Sequence, residues 1–169
     1  EREGFSFDVL QPPFSAEQMS IFKNISDNWL GSRKEKGFSL GFFSEDYLQR
    51  APIAVVKNTQ EEIVAFATIM PTYTNNKVGT IDLMRYDPKK APSGSMDFLF
   101  LHLFAYMKEE HIQWFNLGMA PLSNVGTSRK SFLQERIAYL VYEFGSHFYS
   151  FHGLREYKSK YATNWVSRY

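Results

Sequence analysis

Two hydrophobic periods alternate along the chain, and the switches between them predict its elements. Phe22, Ile25, Trp29 and Leu30 recur at helical spacing, and Ser15-Ala16-Glu17-Gln18 ahead of them has the form of a capping box. A helix is therefore predicted from there, fading near Gly37. Phe38 to Phe43 reads as a short strand, and Ser44 can cap a brief helix over Glu45 to Arg50. After Pro52 the pattern becomes that of strands: Ile53 to Lys57 and Ile63 to Met70 across the polar turn Asn58 to Glu61, then Val78 to Arg85 after the turn Asn75-Asn76-Lys77. These three read as an antiparallel meander. Asp87 to Gly94, with two prolines and a glycine, is a loop.

Ser95 can cap the next helix, whose one face carries Met96, Leu99, Phe100, Leu103, Phe104 and Met107. Phe98, Leu101 and Ala105 make its other face apolar too, which predicts a mostly buried helix. A strand over Gln113 to Leu117 breaks into a glycine- and proline-punctuated loop, Gly118 to Gly126. A long helix, Ser128 to His147, and a strand, Tyr149 to Gly153, lead into a basic tail. Residues 1–13, closed by Pro12-Pro13, read as a lead-in, and 14–169 as one domain. Helix, meander, helix, strand, helix, strand is the order of an α/β protein, with a mixed sheet flanked by helices.

Composition narrows the chemistry. The 169 residues contain no cysteine, which excludes disulfides, thiolate metal sites and a cysteine nucleophile. No apolar run reaches the roughly 18 residues that a bilayer crossing needs, so the chain is expected to be soluble by itself. The 16 Phe, 10 Tyr and 3 Trp can fill a core and line a cleft. Net charge is +1 but unevenly placed: residues 121–169 hold 7 Lys and Arg against 3 Asp and Glu. That basic end is either a solvated surface or a place for phosphate, on lipid or RNA.

Several polar groups are candidates for a site. Asp82 and Arg85 stand three apart on a strand, so they share a face only if the strand ends or bulges between them. Arg85 can fork a phosphate or carboxylate, and Asp82 can hold an amino group or move a proton; a plain salt bridge beside Asp87 is the alternative. Asn116, Ser123 and Asn124 bracket the loop, where they can bind an acyl carbonyl or ribose, or merely cap the backbone. Arg129 and Lys130 open a helix at its electropositive end. Arg155, Lys158 and Lys160 cluster in the tail between Tyr157 and Tyr161, either solvated or set against phosphates. The four histidines lack metal-ligand spacing, and His102, in an apolar helix, reads as a core residue. No metal site or cofactor is indicated.

Four segments taken in order carry a resemblance: Asp82-Leu83-Met84-Arg85, Met96-Asp97-Phe98-Leu99-Phe100, Phe115-Asn116-Leu117-Gly118-Met119-Ala120-Pro121-Leu122-Ser123, and Gly153-Leu154-Arg155-Glu156-Tyr157-Lys158-Ser159-Lys160-Tyr161. Together they closely resemble the C-terminal catalytic region of bacterial phosphatidylglycerol lysyltransferases, the multiple peptide resistance factors. Trp29-Leu30 and Phe38-Ser39-Leu40-Gly41 are similar to that family as well. Where the family has Lys-Phe-x-Pro-x-Trp, this chain has Lys160-Tyr161-Ala162-Thr163-Asn164-Trp165, with Thr163 in the proline's place.

The resemblance implies a GNAT-like acyltransferase fold, the second of a tandem pair, in the cytosolic part of a multi-pass membrane enzyme. It implies transfer of an amino acid, lysine foremost, from aminoacyl-tRNA to phosphatidylglycerol, giving a cationic lipid that repels antimicrobial peptides. It implies that Asp82, Arg85 and one lysine of the Lys158/Lys160 pair belong to the site, with the preceding fold and a membrane domain as partners in the same polypeptide. The region alone is expected to be inactive. Two other readings stay open. An acetyl-CoA-dependent N-acetyltransferase would need a glycine-rich pyrophosphate loop, where Ser123 to Lys130 offers only Gly126. A non-catalytic module would dock tRNA or an anionic membrane.

Overall fold

The structure, a computed structural model, describes residues 4–33, 35, 42–70, 78–118 and 151–166. The chain divides into two compact units, Glu1–Asn116 and Leu117–Tyr169.

The first unit is built on a five-stranded sheet in the order β1-β2-β3-β4-β5. Its strands are β1 (Ser6–Leu10), β2 (Ile53–Lys57), β3 (Ile63–Met70), β4 (Val78–Tyr86) and β5 (Trp114–Asn116). The first four pair antiparallel, and β5 runs parallel to β4. The meander is therefore as the apolar pattern predicts. Strand β1 lies within the supposed lead-in: Phe7 and Val9 pair with Val56 and Ala54 along the edge of β2. The charged residues around it obscured a short alternation, Phe7 and Val9 against Ser6 and Asp8.

Helices cover both faces. On one, α1 (Ala16–Leu30) and the short α2 (Glu45–Leu48) set Phe14, Met19, Phe22, Ile25 and Leu48 against Ile53, Val55, Phe66 and Leu83. Phe22 is completely buried, with its ring 5.1 Å from that of Phe66. Truncating such a ring to alanine costs about 3–5 kcal/mol, so Phe22 is a principal anchor of α1. The capping box is formed: Ser15 Oγ accepts from Gln18 N at 3.2 Å and Gln18 Oε1 from Ser15 N at 2.8 Å. The helix stops at Gly31, earlier than Gly37, and Gly31 N–H closes it on the Asp27 carbonyl. Ser44 precedes α2 without a side-chain cap, and Phe42 and Phe43 are not in a strand; the rest of that predicted strand, 38–41, lies outside the described residues.

On the other face, α3 (Ser95–Glu109) sets Leu99, Leu103 and Met107 against Ala54, Val56, Ala65, Ala67 and Ile69. Three alanines make this face of the sheet shallow, so α3 packs close. Gly79 of β4 completes the approach, since a Cβ there would meet Met107 Sδ at 2.9 Å and Ile112 Cγ2 at 3.2 Å. The helix is capped by Gly94 instead of Ser95, whose hydroxyl donates to the Pro92 carbonyl at 2.8 Å. It is not buried all round: Leu101 is 61 % exposed and Ala105 is exposed too. His102 is half-buried between the rings of Phe7 and Phe98, as expected of a packed histidine.

The second unit contains helix α4 (Phe151–Ser159). The sequence pattern put a strand through Gly153, but Phe151 to Gly153 form the first turn of this helix. Tyr157 in the helix packs edge-on against Tyr161 just past its end, with ring centroids 5.8 Å apart. The predicted turn at 75–77 and long helix at 128–147 lie outside the described residues. Among the described residues, no helix is long and apolar enough to cross a membrane.

Candidate functional site

Strand β4 carries the central feature, a bulge. Met84 lies opposite Ala67 and Ile81 opposite Ile69, so Asp82 and Leu83 together face the single residue Thr68. An extra residue on one strand turns two consecutive side chains to the same side. Leu83 packs into the α1 core, and Asp82 reaches Tyr47 of α2 on that same face. Arg85, two residues past Leu83, also points there and meets Trp29 of α1. The bulge thus meets the condition that the spacing imposes, and Asp82 and Arg85 share one face. The buried Thr68 hydroxyl stabilises the irregularity by accepting from Leu83 N–H at 2.9 Å, in place of a ladder partner.

The bulge lies where strand pairing changes. Thr80 opposite Asn116 is the last pair of the parallel ladder, and among the described residues β4 continues past it to Tyr86 without a further partner on that edge. Thr80 Oγ1 donates to the Asn116 carbonyl at 2.8 Å, closing the junction. Parallel strands parting beside a bulge are a common setting for ligand sites in α/β proteins.

Around it the polar groups interlock. Tyr47 Oη donates to Asp82 Oδ2 at 2.6 Å and also lies 3.0 Å from Met70 Sδ. Burial, then the hydrogen bond and charge of Asp82, push the Tyr47 phenol up to about 12, so it remains a proton donor to the carboxylate. The Arg85 guanidinium lies 3.9 Å from the centroid of the Trp29 ring, and that of Arg33 lies 4.5 Å from the same centroid. Arg33 also donates to the Leu30 and Trp29 carbonyls, which fixes it at the end of α1.

Arg85 is closely held. Its side chain is 10 % exposed, and Nη2 is 3.4 Å from both Glu35 carboxylate oxygens. Burial lowers its pKa, while Glu35 and more distantly Asp82 oppose that shift and Arg33 adds to it. Asp87 is not its partner: that carboxylate accepts from Asn28 Nδ2 at 2.9 Å and from Lys89 N at 2.8 Å. The alternative of a simple salt bridge beside Asp87 is replaced by an ion pair with Glu35.

In the second unit the two lysines of the tail differ. Lys158 is half-buried, and desolvation lowers its pKa. Its Nζ lies 3.4 Å from where a Cβ on Gly118 would stand, and Gly118 has φ +76, a left-handed conformation that favours glycine. Lys160 is exposed, 5.0 Å from the Tyr157 ring centroid, and Arg155 lies 5.5 Å from that of Trp165. Asn116 is exposed at the end of β5. Ser123, Asn124, Arg129 and Lys130 lie outside the described residues. No group of three or more metal-ligating side chains occurs among the described residues.

Trp29, Glu35 and Tyr47 were not singled out for chemistry by sequence reasoning. Trp29 and Arg33 are four apart across the end of α1, which stops at Gly31, and their closeness in sequence is a local signal of the contact. Tyr47 and Asp82 are 35 residues apart, and only the fold joins them.

Comparison with known proteins agrees with this architecture. The family model described as "Phosphatidylglycerol lysyltransferase, C-terminal" matches residues 1–169. A phosphatidylglycerol lysyltransferase of Bacillus subtilis is 52 % identical over 169 residues, covering all of this chain and 20 % of that protein. The solved structure of L-PGS from Bacillus licheniformis is 57 % identical with a TM-score of 0.78, over 95 % of this chain and 48 % of that one. A GCN5-related glucosamine N-acetyltransferase region of a fungal β-N-acetylglucosaminidase shares the fold at a TM-score of 0.52 and 19 % identity, over 82 % of this chain and 16 % of that one. The chain spans about a fifth of the length of the curated relatives it matches. A mixed sheet of GNAT-like acyltransferase form, a bulged β4 and a full-length match lead to one conclusion: the chain belongs to the family of phosphatidylglycerol lysyltransferase C-terminal regions.

Proposed function

We propose that this chain is part of an aminoacyl-tRNA-dependent transferase that moves lysine onto a hydroxyl of phosphatidylglycerol. The observation that carries the reading is whole-chain identity of 52 % to a protein named for that transfer. The acetyl-CoA alternative rests on fold likeness at low identity and is not favoured.

The reaction is an ester exchange. The lipid hydroxyl oxygen attacks the aminoacyl carbonyl carbon, the bond to the tRNA ribose oxygen breaks, and the lipid's proton finishes on that leaving oxygen. The transition state needs a group that orients the nucleophile or the amino acid, a donor for the developing oxyanion, and a cation for the lipid phosphodiester. Asp82, its carboxylate pinned by Tyr47, orients the lysyl α-ammonium or the attacking hydroxyl. Arg85 takes the phosphodiester in a planar fork. Of the two tail lysines, Lys158 stabilises the developing negative charge, because a partly desolvated cation acts more strongly than the exposed Lys160. Asn116, Ser123 and Asn124 contact the acyl carbonyl or ribose, and Arg129 and Arg155 contact phosphates of tRNA or lipid.

The whole enzyme acts at the membrane, with the preceding GNAT-like fold and a membrane-embedded part supplying the rest. The purified full-length enzyme, given lysyl-tRNA and phosphatidylglycerol in mixed micelles, should form lysyl-phosphatidylglycerol. Deacylation of the tRNA without lipid product would contradict the reading.

A further inference from the structure

The guanidinium edge of Arg85 is half-filled. Nε and Nη2 form one edge of the planar group, the edge that can take two oxygens side by side. Glu35 does not sit in it that way. Both of its oxygens lie 3.4 Å from Nη2 alone. Nε is buried and has no hydrogen-bond partner among the described residues. The residue as a whole is nine-tenths buried, so the missing partner is not replaced by bulk water.

Glu35 is the loose member of the pair. Its side chain is 32 % exposed, against 10 % for Arg85, so it can turn to water at little cost. Arg85 cannot move as readily. It lies over Trp29 and is anchored on β4 opposite the buried Phe66. Arg33 adds a second guanidinium at the same ring, so removing the Glu35 carboxylate leaves two cations for one incoming anion. An oxyanion that displaced Glu35 could reach both Nε and Nη2 and satisfy the donor that Glu35 leaves unmet.

We propose that Glu35 is a displaceable placeholder for an anionic phosphodiester, occupying the Arg85 fork until the lipid headgroup takes its place. The inference rests on Arg85 serving the lipid phosphate in the reaction proposed above. It assigns Glu35 a role in setting lipid affinity: the phosphodiester must compete with a resident carboxylate, and a neutral hydroxyl compound cannot. Glu35 acts through Arg85 and is a positioning residue.

The test uses the full-length enzyme in mixed micelles, with lysyl-tRNA saturating and phosphatidylglycerol varied. Glu35→Gln should lower the KM for phosphatidylglycerol by about two- to fivefold, the scale of a part-exposed ion pair, with the change falling on KM more than on kcat. sn-Glycerol 3-phosphate, a water-soluble phosphate probe, should inhibit competitively with lipid and bind more tightly to Glu35→Gln by a similar factor. Glu35→Asp, one methylene shorter, should shift both constants the same way and serves if Glu35→Gln does not fold. A raised lipid KM in these variants, or probe affinity unaffected by them, would overturn the placeholder. Wild-type enzyme that forms no lysyl lipid would instead overturn the proposed reaction.

Discussion

The Arg85 guanidinium carbon lies 3.9 Å from the centroid of the Trp29 ring, so a cation on β4 is held against the last turn of α1. Partly desolvated pairs of this kind contribute about 1–2 kcal/mol. Trp29→Leu should therefore lower the unfolding free energy of the 169-residue chain by about that amount, and Trp29→Phe by less, because the smaller ring keeps part of the attraction. Urea denaturation of the three proteins checks the order. Equal stability of Trp29→Leu and wild type would show that the stacking contributes nothing.

Tyr47 links stability to pH. Its phenol is raised to about 12, so the folded state favours the protonated form more than the unfolded chain does. The sign follows from linkage: this stabilisation is fully present below the ordinary tyrosine range, near pH 10, and is lost as pH rises toward the folded value. Tyr47→Phe should cost about 1 kcal/mol at pH 8, the size of one part-exposed hydrogen bond. The gap between the two proteins should close as pH climbs from about 10 upward. Denaturation midpoints at a series of alkaline pH values measure it, and a gap that widens instead would contradict the assigned bond with Asp82.

Lys158 and Lys160 should separate in function. In the full-length enzyme, Lys158→Ala is expected to reduce lysyl transfer by at least about tenfold, the effect of losing a charge-stabilising group, and Lys160→Ala by much less. Burial lowers the Lys158 pKa, so its charged form costs stability below that pKa, and the cost disappears as pH rises through the ordinary lysine range. Equal activity of the two alanine variants would remove the distinction.

Gly79 tests the packing of α3 on the sheet. A methyl there would come within 2.9 Å of Met107 Sδ and 3.2 Å of Ile112 Cγ2. Gly79→Ala should destabilise by about 1–3 kcal/mol, the usual result of overpacking. Pairing it with Met107→Ala should recover part of that loss, since the methionine sulfur is the nearest obstacle. A thermal-melt cycle of the four proteins reads the coupling.

Legibility in the sequence followed the range of the interaction responsible. Strands β2, β3 and β4 and the capping box of α1 are set by local period and by side chains three residues apart, and they appear where the pattern predicts. Strand β1 is short and flanked by charge, and what holds it is distant in sequence: pairing to β2 some fifty residues away and packing of Phe7 on His102. The start of helix α4 has the sequence pattern of a strand because aromatic content favours either state until a partner is known. The exposure of Leu101 on α3 likewise depends on what packs against the helix and not on its own period.

The site divides the same way. Asp82 and Arg85 can be recognised as a candidate pair from their spacing, and so can the need for a bulge between them. The place of the bulge is not marked locally, since the adjacent apolar residues Leu83 and Met84 pack on opposite faces as in a regular strand. Tyr47 and Glu35 cannot be paired with Asp82 and Arg85 from the sequence, because α2 and the segment after α1 reach β4 only through the folded core.

The most direct test of the Asp82/Arg85 pair is lipid analysis of cells expressing the complete enzyme, with wild type, Asp82→Asn and Arg85→Ala at matched protein level. Wild-type cells should contain lysyl-phosphatidylglycerol, and each variant should reduce it by at least about 100-fold, as loss of a group acting on the transition state does. Wild-type amounts of the lipid in either variant would contradict the account.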